Sequence, residues 1–185
     1  MPNAPGYEVS ATYLDANLKA IREAGLLDTV LARLSPELKA AAQSPYGQSW
    51  WPGTVNEGLI AALCAAHGER AVEEVGFLSV QRSVGPLVMP FLKVLLAVTG
   101  ADPATIFSKL GQFSSSSTRG VTIDWKLGTG QQGDLTIVYP SAVDPSVKPL
   151  WRGGLRCGLT MLKRQGRVDD RHVDARTLRY QISWD

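Results

Sequence analysis

TRGVTIDWKLGTGQQGDLTIVYPSAVDPSVKPLWRGGLRCGLTMLKRQGRVDDRHVDARTLRYQISW, residues 118–184, is the stretch whose reading decides the fold. Val121, Ile123, Trp125 and Leu127 alternate with polar residues, as do Leu135, Ile137 and Tyr139, and again Leu178, Tyr180, Ile182 and Trp184. Period-two alternation marks half-buried antiparallel strands. Between the two strand pairs, Trp151, Leu155, Leu159 and Leu162 recur at helical spacing. The block reads as two strands, a helix, then two more strands. Gly128 to Gly133 forms the first hairpin loop, and no helix follows it, so it is no dinucleotide fingerprint.

Upstream lie about 115 mostly helical residues. Residues 1–9 read as a flexible arm. Ser10 can cap a helix to about Glu23 that Gly25 stops. A short helix carries Leu27, Val30, Leu31 and Leu34, and Ser35-Pro36-Glu37 opens a third. Trp50-Trp51-Pro52-Gly53 reads as a loop, Thr54 with Glu57 as a capping box, and Gly68 as a helix end. A further helix runs through Ala71 to Val80, a buried helix from Pro86 to Thr99, and a last one from Asp102 to Phe113. Ser114 to Ser117 is short enough for an ordinary connection. The expectation is a single α+β domain over 10–185. Its helical part (10–113) packs on a four-stranded antiparallel sheet with one further helix (118–185).

A chain of 185 residues with 44% apolar and 19% charged residues is ordinary globular material. The net charge of +2 excludes a strongly electrostatic nucleic-acid or membrane binder. Charge is uneven, however. Residues 1–100 carry 7 basic and 9 acidic residues, and residues 101–185 carry 12 and 8. The basic excess, from Arg152 to Arg179, reads as solvated charge or as a face for an anionic partner. The amino terminus shows no signal peptide, and Leu87 to Val98 is too short to span a bilayer. With only Cys64 and Cys157, a reducing cytoplasm is expected.

Motifs for catalysis are missing. Cys64, His67, Cys157 and His172 include zinc-ligating residue types, but the second pair is split by fourteen residues with no tight knuckle. There is no G-x-S-x-G elbow and no phosphate loop. Two features stand out instead. Lys93 interrupts the most apolar helix, as a stem that snorkels or a polar anchor in a cavity, and Arg82 invites the same two readings. Gly153, Gly154 and Gly158 lie inside a helix, where each costs about 1 kcal/mol relative to alanine. Gly154 and Gly158 share a face that admits a close neighbour, either backbone or ligand.

The stretch Pro149 to Trp184 resembles the ending of the haem-nitric-oxide-binding and four-vinyl-reductase-type ligand-binding superfamily. More narrowly, it resembles a myxobacterial paralogous family of unknown function that ends in a T-x-R-x-x-W strand. Here that strand is Thr177 to Trp184, with one extra residue pair. The resemblance implies a helical layer leading into strands, a glycine-containing helix and a final hairpin. In the haem branch it implies a proximal histidine on the helix before the sheet and a Y-x-S-x-R motif for the propionates. Asp102 to Phe113 has no histidine, and Tyr139-Pro140-Ser141-Ala142-Val143 has valine in place of the arginine.

The expected function is therefore non-enzymatic and cofactor-free. It is a cytoplasmic, haem-free sensor or binding domain for a small apolar ligand, signalling to a protein partner, with a homodimer as one form. The expected site lies between Pro86–Thr99, Asp102–Phe113 and the glycine face. Phe91, Leu95, Phe107, Trp125, Gly154 and Gly158 are its lining and Lys93 its polar anchor. The alternative is a structural adaptor with a filled core, acting through oligomerisation or the basic carboxy-terminal face.

Overall fold

A computed structural model describes residues 6–87 and 102–185, without the side chains of 83–87, 172 and 173. The chain opens with a short strand, β1 (Glu8–Ser10), that runs directly into α1 (Ala11–Glu23). The Ser10 hydroxyl accepts the Tyr13 amide at 3.2 Å and caps α1. Gly25, at φ 73°, makes the left-handed turn that ends it. α2 (Leu27–Arg33) and α3 (Pro36–Gln43) follow, the latter capped by Ser35 with proline in its first turn. A single 3-10 turn at Pro45–Gly47 leads to β2 (Trp50–Pro52) and the long α4 (Gly53–Leu87). The backbone of α4 leaves helical geometry at Gly68, φ 79°, where the sequence reading ended one helix and began another.

After α5 (Pro103–Ser108) and α6 (Leu110–Ser114), the carboxy-terminal block forms as expected. β3 (Thr118–Arg119), β4 (Thr122–Leu127) and β5 (Gln132–Val138) precede α7 (Val147–Met161), and β6 (Gly166–Asp174) and β7 (Thr177–Trp184) follow it. The large sheet has the antiparallel order β4-β5-β7-β6. β7 sits beside β5, with Leu135 opposite Tyr180 and Ile137 opposite Leu178, so the alternating apolar residues form one buried face. Tyr180 donates its hydroxyl to the Lys148 carbonyl at 2.9 Å and ties this face to the start of α7.

Two apolar cores result. One joins the sheet face to Leu155 and Leu159 of α7, Phe107 of α5 and Tyr7. The other joins α1, α2 and α4, with Leu150 of α7 included. α7 belongs to both, and it crosses α4 closely. A Cβ on Gly76 would overlap the Leu150 carbonyl and sit 3.1 Å from its Cα, and one on Gly153 would overlap the Glu73 carbonyl and sit 2.8 Å from the Phe77 nitrogen. Only glycine at both positions lets the two backbones approach this far.

Three expectations need correction. Residues 7–9 are not part of a free arm: Tyr7 and Val9 are buried, and β1 pairs on one side with β2 and on the other with β3. Trp50 to Pro52 is the second strand of that small sheet rather than a loop, because β1 offers its edge to be paired. Glu57 does not complete a capping box with Thr54; its carboxylate accepts the Asp144 amide at 2.9 Å, fixing the loop that precedes α7. Boundaries also moved. The expected Asp102–Phe113 helix is the pair α5 and α6, and the helix expected around Trp151 to Leu162 begins at Val147 and ends at Met161.

Candidate functional site

The cavity lies where the helical layer meets α7 and the segment that leads into the sheet. Its volume is about 470 Å³, and its walls are predominantly apolar. α4 contributes Gly76, Ser79 and Val80; α5 and α6 contribute Ile106, Phe107 and Leu110; α7 contributes Trp151, Gly154, Leu155 and Gly158. The crossing of α4 and α7 sets one wall, since the contacts at Gly76 and Gly153 bring the two helices together there. At Gly154 a Cβ would sit 3.0 Å from Val80, whereas at Gly158 it would meet only the Phe107 ring edge, at 3.7 and 3.9 Å. The second glycine therefore opens space, and the first closes it.

Among the described lining residues none is charged and none is a histidine or cysteine. Most of the lining hydroxyls gather where β1 and β3 meet, at Ser10, Thr12, Tyr13, Ser114, Ser116, Ser117 and Thr118, while Ser79 comes from α4. The Ser10 amide donates to the Ser117 carbonyl at 2.8 Å, and Val9 pairs with Thr118, so two distant segments supply one polar end. Burial pushes the Tyr13 phenol up from its ordinary pKa of 10.0, against a hydrogen bond with Asn17, so it stays neutral.

Tyr139 closes the space behind Trp151. Its hydroxyl accepts the Trp151 indole N–H at 2.8 Å, and its ring meets Tyr7 edge-on at 4.9 Å. Burial raises the Tyr139 pKa far above the ordinary phenol range, outweighing the indole hydrogen bond. Val143, four residues on, is buried in the sheet core.

Of the residues expected to line a site, Phe107, Gly154 and Gly158 do border the cavity. Trp125 does not. Its ring packs on Phe107 at 5.2 Å between centroids and on Trp184 at 6.2 Å, so it backs the lining as part of the sheet core. Phe91, Lys93 and Leu95, with the rest of the expected Pro86–Thr99 helix beyond Leu87, lie outside the described residues. Arg82 is no cavity anchor: its guanidinium pairs with Glu23 of α1. Sequence reasoning missed the hydroxyl end, because the serine run carries no spacing signal that points to β1. It also missed Gly76, which looks like any small helical residue until α7 is placed against it.

The zinc reading finds no support among the described residues, where no group of three or more His, Cys, Asp or Glu side chains converges. Cys157 is buried, and desolvation pushes its thiol up to about 11. The His67 Nε2 lies 2.6 Å from the Thr29 hydroxyl. Beside the cavity, Arg152 bridges Glu73 of α4 at 2.7 Å and Asp170 of β6 at 2.8 Å, and Lys148 reaches Asp170 at 2.8 Å. Burial works to raise the pKa of Glu73, but hydrogen bonds from Arg156 and Arg152 outweigh it and hold the carboxyl below its ordinary 4.5. Asp170 is held below 3.8 by Lys148 and Arg152 against the same desolvation.

This arrangement of helices and antiparallel sheets is similar in fold to the H-NOX domains. An Fe(II) unliganded H-NOX protein mutant from K. algicida superposes with a TM-score of 0.69 at 10% identity, covering 95% of this chain and 96% of that one. An oxygen-binding H-NOX domain related to soluble guanylate cyclases gives 0.63 at 11%, covering 95% and 94%. At this identity the likeness establishes the fold alone. No family model matches the chain, and no curated protein matches it. Among the described residues, no helix is long and apolar enough to cross a membrane.

Proposed function

We propose that this protein is a haem-free binding or sensor domain for a small apolar ligand, coupled to a protein partner and related to the haem-free members of the superfamily its carboxy terminus resembles. The observation that carries the reading is the chemistry of the cavity wall: apolar side chains and hydroxyls, with no charged group or imidazole among the described lining residues. A haem fits this donor set poorly. The chain has two histidines. His67 is hydrogen-bonded to Thr29 away from the cavity. His172 belongs to β6, and its side chain lies outside the described residues. Val143 stands where a propionate-gripping arginine would be and is buried among apolar neighbours. The Tyr139 hydroxyl accepts the Trp151 indole N–H, and the residue is buried in the sheet core behind Trp151. A pocket of a few hundred Å³ with mostly apolar walls and a few convergent polar atoms is the usual form of a small-molecule site.

Native mass spectrometry of the purified protein tests the reading, with absorbance recorded on the same sample. A retained neutral small-molecule mass and no Soret band are expected. A Soret band that follows the protein through gel filtration would overturn the haem-free assignment, and a ligand-free dimer that takes up no apolar probe would overturn ligand binding.

A second reading, an adaptor acting through a basic face, draws on one feature. Arg171 and Arg179 stand directly opposite each other on β6 and β7, both exposed, and the Arg171 guanidinium donates to the Gln181 side-chain oxygen. Like charges paired across strands destabilise unless an anion sits between them. Retention on heparin that falls with added salt, and is lost in Arg179→Gln, would favour this reading.

A further inference from the structure

The cavity is polarised, and its polarity specifies the chemical class of guest. Resting on the ligand-binding reading above, we infer that the occupant is a neutral amphiphile: an apolar body in the pocket formed by Phe107, Leu155 and Gly158, and one uncharged hydrogen-bonding group at the hydroxyl end. The hydroxyls there are not equivalent. Ser114 donates to the Gly111 carbonyl at 3.0 Å, Ser116 to Phe113 at 2.9 Å and Thr118 to Ser114 at 3.2 Å, so these three have lone pairs to offer and no proton. Ser10 accepts the Tyr13 amide and keeps its proton. Thr12 and Ser117 have no side-chain hydrogen bond among the described residues. One end of the pocket therefore presents free donors and free acceptors side by side, which suits a group that does both, such as an alcohol. A carboxylate at the hydroxyl end would find no cation among the described walls to pair with, and drawing it inward from the exposed Thr12 and Ser116 would cost it its hydration. A hydrocarbon would leave the hydroxyl end unused but not opposed.

The test is displacement of the neutral dye Nile red by 1-octanol, n-octane and octanoate at pH 8, in the native protein, in Gly158→Leu and in the double variant Thr12→Val, Ser117→Ala. In the native protein 1-octanol should bind at least tenfold more tightly than octanoate. The double variant should bind 1-octanol about fivefold more weakly, the worth of one ordinary hydrogen bond, and bind n-octane unchanged within about twofold. The n-octane arm also shows that the variant is folded. Gly158→Leu should lose all three. Octanoate binding as tightly as 1-octanol, or a double variant that leaves 1-octanol untouched, would overturn the inference while leaving the cavity reading intact. Failure of all three probes and of the dye in the native protein would remove the ligand-binding reading itself, and this inference with it.

Discussion

Single atoms decide what the α7 glycines do. At Gly153 there is no volume for a methyl group, because the Glu73 carbonyl and the Phe77 nitrogen already occupy it. Gly153→Ala must push α7 off α4, and chemical denaturation should show a loss of about 3 kcal/mol, the upper range for overpacking a rigid contact. At Gly158 the nearest atoms are at ordinary contact distance. Alanine there removes a mid-helix glycine and should stabilise by about 0.5–1 kcal/mol, while its methyl intrudes on the cavity. Stability and ligand uptake should thus move in opposite directions at Gly158 and together at Gly153. Tyr139 makes a third case. Tyr139→Phe strands the partly buried Trp151 N–H and should cost about 1–2 kcal/mol, read by the same denaturation and by a shift in tryptophan emission.

Among elements, the joint between α4, α7 and β6 is electrostatic as well as steric. Arg152 has 20% of its side chain exposed, Glu73 16% and Asp170 22%, so these ion pairs are partly shielded from water. Both carboxyls have pKa values below their ordinary 4.5 and 3.8. Their stabilisation is therefore fully present above the unfolded values and is lost as pH falls through the depressed ones. Thermal melts should be flat from pH 8 to about pH 5 and fall below pH 4. Arg152→Met should flatten the acid limb and lower stability at pH 7, and an unchanged acid limb in that variant would show that other carboxylates govern it. The α5 cap contributes separately: Asp102 accepts the Ala104 and Thr105 amides at 3.2 and 3.1 Å. Asp102→Ala should cost about 1 kcal/mol.

For the whole molecule, the first described residues hold the two layers together. Tyr7 packs on Tyr139 of the sheet core, donates its hydroxyl to the Gly53 carbonyl at 3.4 Å and lies where a Gly53 side chain would go. The β1 strand that follows it is the middle strand joining β2, at the start of α4, to β3, at the start of the sheet. Tyr7→Ala should cost about 3–5 kcal/mol, measured by urea denaturation. It should also lower ligand uptake, because β1 carries Ser10 into the cavity wall.

The sequence by itself determined the local elements. Alternation at Leu135, Ile137 and Tyr139 could serve only a half-buried strand. Ser10, Gly25 and Ser35-Pro36 set helix ends through hydrogen bonds within a few residues. Such signals are legible because cause and effect lie within one turn of chain. The shared face of Gly154 and Gly158 was legible for the same reason, but that Phe107 stands in front of it was not. Tertiary structure alone decided the rest. The insertion of β7 next to β5, the pairing of Tyr7 to Ser10 with segments forty or more residues away, and the meeting of Ser10 with Ser117 all depend on backbone groups. Those groups are alike at every position, so no residue pattern names their partners. Gly76 and Gly153 acquire meaning only as a pair across two helices. Trp125 was expected in the cavity lining, but the same apolar ring satisfies a core equally well, and only its packing against Phe107 and Trp184 separates the two roles.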